Sequence, residues 1–191
     1  NQENEEQAVA NYFAYESVEQ AEKADKYSSS RFMSIEGDWR FNFVENANER
    51  PENFYAVGYD DSKWDMFPVP GLFEMNGYGD RIYVNVGYVW RNQFNNNPPF
   101  VEERNNYVGS YRQNFTIPAD WKGEKVYIHI GSATSNLKVW VNGKYVGYSE
   151  DSKMAAEFDI TDYVEFGKQN LIAMQIMRWC DGSYLEDQDF W

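Results

Sequence analysis

Asn142-Gly143 lies between Val139-Trp140-Val141 and Lys144-Tyr145-Val146-Gly147-Tyr148, two short runs of alternating character. Asn-Gly in that setting predicts a two-residue hairpin, because both turn positions need a positive φ that Asn and Gly adopt at low cost. The same texture recurs along the chain. Trp39, Phe41 and Phe43 alternate with Arg40 and Asn42, and strand-like runs follow at 109–117, 126–130, 137–141, 158–160 and 171–177. Turn residues punctuate them at Glu36-Gly37-Asp38, Asp60-Asp61-Ser62, Pro68-Val69-Pro70-Gly71 and Asn76-Gly77. Asp60-Asp61-Ser62-Lys63-Trp64 and Pro68-Val69-Pro70-Gly71 read as loops. Many short strands without a long helical period predict an all-β, antiparallel jelly-roll sandwich.

Residues 1–30 have another composition, polar and rich in Glu and Ala, with the apolar residues Val9, Tyr12, Phe13 and Tyr15. Ser17 before Glu19-Gln20-Ala21-Glu22-Lys23 predicts a short capped helix, and Ser28-Ser29-Ser30 a hinge. This part reads as an arm, and 31–191 as the domain. Between them the two parts account for a length that suits one ordinary core. The stretch 92–100, with Asn95-Asn96-Asn97-Pro98-Pro99, reads as a long loop that serves function or an interface.

Charge narrows the partners. The formal net charge is −14, which repels phosphates and so excludes nucleic acid and anionic lipid, while a neutral polyhydroxylated ligand meets no such barrier. No run approaches the roughly 20 apolar residues that span a bilayer. The single cysteine, Cys180, allows no internal disulfide and reads as an inert buried thiol. The single histidine, His129, alternates with Ile128 and Ile130 and reads as an ordinary strand residue. The start at Asn1, without methionine, fits a removed export signal or a trimmed start. A periplasmic and a cytoplasmic location both remain open.

The final stretch, 178–191, sets Asp181, Glu186, Asp187 and Asp189 among Trp179, Tyr184, Phe190 and Trp191. Asp181-Gly182 is a turn signal. Rings that cover the apolar face of a sugar, beside an acid that accepts from its hydroxyls, make a saccharide site. The same composition also makes an acidic surface loop. Ending on Trp191, the chain reads as cut inside a longer protein.

The run Asp181-Gly182-Ser183-Tyr184-Leu185-Glu186-Asp187-Gln188-Asp189 resembles the segment that closes the N-terminal sugar-binding domain of family 2 glycoside hydrolases, above all the large bacterial β-galactosidases. In the family's order come Gly37-Asp38-Trp39-Arg40-Phe41, Glu74-Met75-Asn76-Gly77-Tyr78-Gly79, Ile82-Tyr83-Val84-Asn85-Val86, Asn97-Pro98-Pro99-Phe100-Val101, Gly109-Ser110-Tyr111 and Trp140-Val141-Asn142-Gly143. The likeness covers 31–191. The stretch between Asn85 and Pro98 is longer than in the best-known members and carries Trp90 and Phe94.

The resemblance implies a retaining β-galactosidase, truncated here before its immunoglobulin-like and barrel domains. Two glutamates about 5–5.5 Å apart do such chemistry, and they would lie in the barrel. No catalytic residue is therefore expected in this chain. Asp181 is expected to touch the galactose and to ligate Na⁺, and Asn85 to hydrogen-bond a sugar hydroxyl. Mg²⁺ is expected in the whole enzyme, with ligands outside this segment. Glu186, Asp187 and Asp189 read as partners that dock the domain on the barrel. Trp90 is either a stacking platform or a core ring. The implied partners are a galactoside, the remaining domains of the same chain and further copies in a homo-oligomer. A stand-alone carbohydrate-binding module is the alternative that a jelly roll allows. A third reading assigns the domain, with its arm, to subunit assembly.

Overall fold

The computed structural model describes residues 1–7, 13–84 and 86–186. Among the described residues, nine strands appear in chain order: β1 (Gln2–Glu3), β2 (Gly37–Val44), β3 (Asp65–Val69), β4 (Val108–Thr116), β5 (Tyr127–Ile130), β6 (Leu137–Val141), β7 (Lys144–Ser149), β8 (Ala156–Asp159) and β9 (Gln169–Met177). They form a seven-stranded sheet in the order β1-β7-β6-β9-β4-β2-β3 and a two-stranded sheet of β5 and β8. All of these strand pairs are antiparallel. The expected jelly-roll sandwich is the fold observed.

Alternation along the strands builds the core. Leu137, Val139 and Val141 of β6 point inward and are nearly inaccessible, while Trp140 takes the opposite face. Ile128 and Phe158 supply the facing layer, and Trp39, Phe41 and Phe67 fill one end. The Phe41 and Phe67 rings pack in a tilted pair, 4.4 Å between centroids. Each such ring stabilises by roughly 1.5–3 kcal/mol on burial. His129 is half-exposed on β5, with Nδ1 3.2 Å from the Glu157 carboxylate of β8, as an ordinary strand residue would be.

The hairpin forms where the sequence places it. Asn142 and Gly143 have φ of 51° and 79°, and Val141 pairs with Lys144. The Asn142 side chain accepts from Leu171 N–H at 2.9 Å and donates to Tyr163 O at 2.8 Å, which ties the turn to β9.

Pro68-Val69 corrects a sequence expectation. These residues belong to β3 rather than to a loop, with Pro68 opposite Asp38 of β2. Proline has no N–H to give a sheet, and β3 is an edge strand that needs none on its outer side.

The expected short helix is present as α1 (Val18–Lys23), and Ser17 Oγ accepts from Gln20 N–H as its cap. The serine hinge is fixed by Glu16, whose carboxylate accepts from Ser30 Oγ at 2.7 Å and Ser29 Oγ at 2.8 Å. Those two bonds hold the Glu16 pKa down at about 2. Trp121 Nε1 donates to Ser30 O at 2.9 Å and joins the hinge to the sandwich. The first residues lie on the sheet itself, as β1 against β7. A Cβ at Gly147 would come within 2.5 Å of Glu3 O and 2.7 Å of the Phe158 ring, so glycine is what lets the two pack this closely. Val9 and Tyr12 lie outside the described residues. Among the described residues, no helix is long and apolar enough to cross a membrane.

Candidate functional site

β9 leaves the sheet through Arg178-Trp179-Cys180 and enters a short 3-10 turn, Asp181–Tyr184. The backbone here is held by side chains from far away in the sequence. Asn106 forms a two-way clamp, accepting from Trp179 N–H at 2.9 Å and donating to Trp179 O at 3.1 Å. Ser183 Oγ accepts from Cys180 N–H at 3.1 Å, and Ser135 Oγ sits 3.0 Å from both Ser183 Oγ and Cys180 Sγ. Asp181 is thus presented by a scaffold that does not depend on its own carboxylate.

Asp181 is half-buried, not enclosed in the core. Its Oδ2 lies 3.4 Å from Asn1 Nδ2. Ligand atoms of Glu150, Cys180 and Asp181 all fall within 4.8 Å of one another. Glu150 is fixed by the Tyr148 hydroxyl, and its backbone N–H donates to Asn1 O at 3.2 Å. Burial raises the pKa of the Cys180 thiol, so near neutral pH it stays protonated. A hard cation prefers carboxylate oxygen to such a thiol. Glu150 Oε2 already accepts from the Asn1 ammonium at 2.9 Å, so Asp181 is the carboxylate of this cluster that fits Na⁺ as an oxygen ligand, and Cys180 does not fit.

Arg178 links this turn to the segment that precedes residue 85. Its guanidinium donates to Asp80 Oδ1 at 2.8 Å and Asp80 O at 3.1 Å, and lies 4.4 Å above the Tyr107 ring. The Arg178 bond, followed by that from the Tyr107 hydroxyl, holds the Asp80 pKa below the usual carboxylate range. Asn85 itself lies outside the described residues, as do Asp187 and Asp189.

The long loop is anchored on the same turn. Tyr184 Oη accepts from Asn97 N–H at 3.1 Å and donates to Phe100 O at 2.6 Å. Trp90, Phe94, Trp179 and Tyr184 form a second apolar cluster separate from the main core. Trp90 is 9% exposed and stacks on Phe94 at 5.7 Å, which makes it a core ring rather than an open platform. Glu186 also departs from expectation. It pairs with Lys153 and accepts from Ser152 Oγ at 3.2 Å, inside this domain rather than toward another.

Residues 178 and 106 act here without having been singled out in the sequence. Their partners lie tens of residues away, and no local pattern marks them. The one available signal was the Arg178-Trp179 pair at the head of the acidic run.

Comparison with known proteins adds ancestry to this geometry. Residues 32–191 match the family model described as "Glycosyl hydrolases family 2, sugar binding domain". The β-galactosidase of Priestia megaterium is 44% identical over 98% of this chain, and that of Halalkalibacterium halodurans 40% identical over 96%. The chain spans 18% of the length of each. Among solved structures, a glycosyl hydrolase family 2 member from Bacteroides cellulosilyticus aligns with a TM-score of 0.55 at 26% identity, over 78% of this chain and 18% of that one. A Ruminococcus gnavus β-glucuronidase aligns at 0.54 and 19% identity, over 75% of this chain and 21% of that one, which is a likeness of fold alone.

Proposed function

The chain belongs to the sugar binding domain family of the family 2 glycosyl hydrolases, and from that membership we propose that it forms one wall of the galactose pocket in a retaining β-galactosidase. The observation that carries this reading is Asp181, half-exposed on a turn whose backbone is fixed by Asn106, Ser183 and Ser135. A carboxylate held this way is ready to accept from sugar hydroxyls without reorganising. By the family likeness, Asn85 would exchange hydrogen bonds with a further hydroxyl, since a carboxamide both donates and accepts.

The division of labour follows from what this chain offers. Asp181 points to cation and hydroxyl binding, Glu150 is paired with the Asn1 ammonium, and Glu186 is spent on Lys153. The acid/base and nucleophile glutamates would come from the rest of the protein. Asp181 would be one ligand of a Na⁺ whose remaining oxygen ligands come from the sugar and from other domains. When bound, that ion supplies positive charge that orients a galactose hydroxyl. Mg²⁺ would sit outside this segment. Phe100 is 71% and Leu185 86% exposed, and the Tyr184 hydroxyl donates to Phe100 O. Exposed apolar side chains of that kind suit burial against further domains of the same chain.

Assay of the intact protein tests the substrate class. It is expected to release galactose from an aryl β-galactoside with retention, at a kcat/KM on the order of 100-fold or more above that for the matching β-glucuronide. Equal or higher activity on the glucuronide would overturn the galactoside assignment.

A further inference from the structure

The longer loop borders a groove of about 460 Å³. One side is the turn after β2, with Glu45 and Asn46. The other is the loop at 92–95 and the segment at 102–105 that leads into β4. Its walls are set by their own hydrogen bonds. Asn46 Oδ1 accepts from Asn105 N–H at 3.1 Å, Gln93 Oε1 from Asn105 Nδ2 at 3.4 Å, and Glu102 Oε1 from Asn95 N–H at 3.2 Å. Phe94 lines it as well, and its ring meets Trp179 and Tyr184 edge-on at 5.6 and 5.5 Å.

We propose that this groove is a second saccharide subsite, for neutral sugar units beyond the galactose that Asp181 would contact. The inference rests on the β-galactosidase reading for the identity of that galactose. Three observations carry it. The volume is in the range of small-molecule sites, about 300–1,000 Å³. The lining is dominated by carboxamides, which pair with hydroxyls as donor and acceptor alike. Among the described residues, the side chains of Asn92, Glu45 and Arg104 have no hydrogen-bond partner and remain available to a ligand.

Charge selects the ligand class. Two carboxylates against one guanidinium leave the groove slightly negative, which disfavours phosphate or uronate and leaves neutral sugars. Continuity places it. Phe94 shares its contacts with Tyr184, and Tyr184 closes the turn that Asp181 opens. The cluster beneath also buries the indole nitrogens of Trp90 and Trp179, neither of which has a partner among the described residues.

The ligand could be the outer units of a long galactoside or a separate neutral polysaccharide. The test uses the intact protein with the paired substitutions Glu45→Ala and Arg104→Ala, both at exposed positions where the fold does not depend on them. Removing two hydrogen-bonding side chains should cost about tenfold in kcat/KM on a neutral galacto-oligosaccharide, with methyl β-galactoside unchanged. Weaker retention on an insoluble neutral polysaccharide, with both hydrolysis rates unchanged, would assign the groove to the polysaccharide instead. No change in either would overturn the subsite. If the unsubstituted protein hydrolyses no galactoside, the galactosidase reading fails by itself. Calorimetric titration with the same oligosaccharide then decides the groove: affinity weaker in the variant supports it, and equal affinity or none overturns it.

Discussion

Asp181→Ala in the intact protein is expected to lower kcat/KM for a galactoside on the order of 100-fold while leaving the melting temperature nearly unchanged. The size follows from removing a charged hydrogen-bonding partner, worth roughly 1.5–3 kcal/mol or about 10- to 150-fold. Loss of a cation ligand acts in the same direction. The stability half of the expectation comes from geometry. The turn around Asp181 is held by the Asn106 clamp and the Ser183–Cys180 bond, neither of which uses the Asp181 carboxylate. A surface substitution of that kind changes stability by about 0.5 kcal/mol or less. Steady-state kinetics and a thermal melt on the same preparation check both halves. A large drop in melting temperature would make Asp181 a structural residue, and full activity would remove it from the pocket.

Arg112→Met should be the most destabilising change of a single charged residue in the sandwich, at about 3–5 kcal/mol. Arg112 is almost completely buried on β4. Its Nε donates to Asp61 Oδ2 at 2.6 Å, and its Nη1 to Phe54 O and, at 3.0 Å, to Ala56 O. The guanidinium also lies 5.5 Å from the Tyr59 ring. One side chain therefore fixes a whole covering segment to the outer face of the sheet. Under that segment Trp140 stacks on Tyr55 at 5.2 Å and meets Phe54 edge-on at 5.3 Å. Without the fork, Asp61 and two carbonyls lose their partner together. For a domain of this size the loss corresponds to a drop in melting temperature of roughly 6–20 °C. Thermal denaturation would show it, and a loss below about 1 kcal/mol would make the pair no stronger than an exposed one. Lys168 with Glu165, 71% and 60% exposed, is the comparison, and its removal should pass almost unnoticed.

Local chemistry is written in this sequence, and partnership across long distances is not. The hairpin at Asn142-Gly143 was legible because the turn demands a backbone state that two residue types favour. Strand β6 was legible because one buried face imposes alternation, while β4 and β9, buried on both faces over most of their length, stood out as strand-length runs between turn signals. β3 was not, because Pro68 argues against a strand until its edge position is known. β1 was equally hidden. Gln2 and Glu3 carry no apolar pattern, and what admits them is the missing Cβ of Gly147 on another strand.

The site divides the same way. Asp181 stood out as an acid on a turn signal and, through the family likeness, as a sugar and Na⁺ contact. The Arg178–Asp80 pair that steadies the neighbourhood joins residues 98 positions apart, and no spacing rule reaches so far. Glu186 looked like a docking acid because its partner, Lys153, approaches only in the folded chain.

The central claim is that this sandwich lends residues to a galactose pocket completed by the rest of the protein. Calorimetric titration of galactose into the intact protein and into the 191-residue chain by itself reaches that claim most directly. The intact protein is expected to bind galactose saturably, and the chain alone not at all. Saturable binding of the same strength by the chain alone would contradict it, and would make the domain a self-sufficient carbohydrate-binding module.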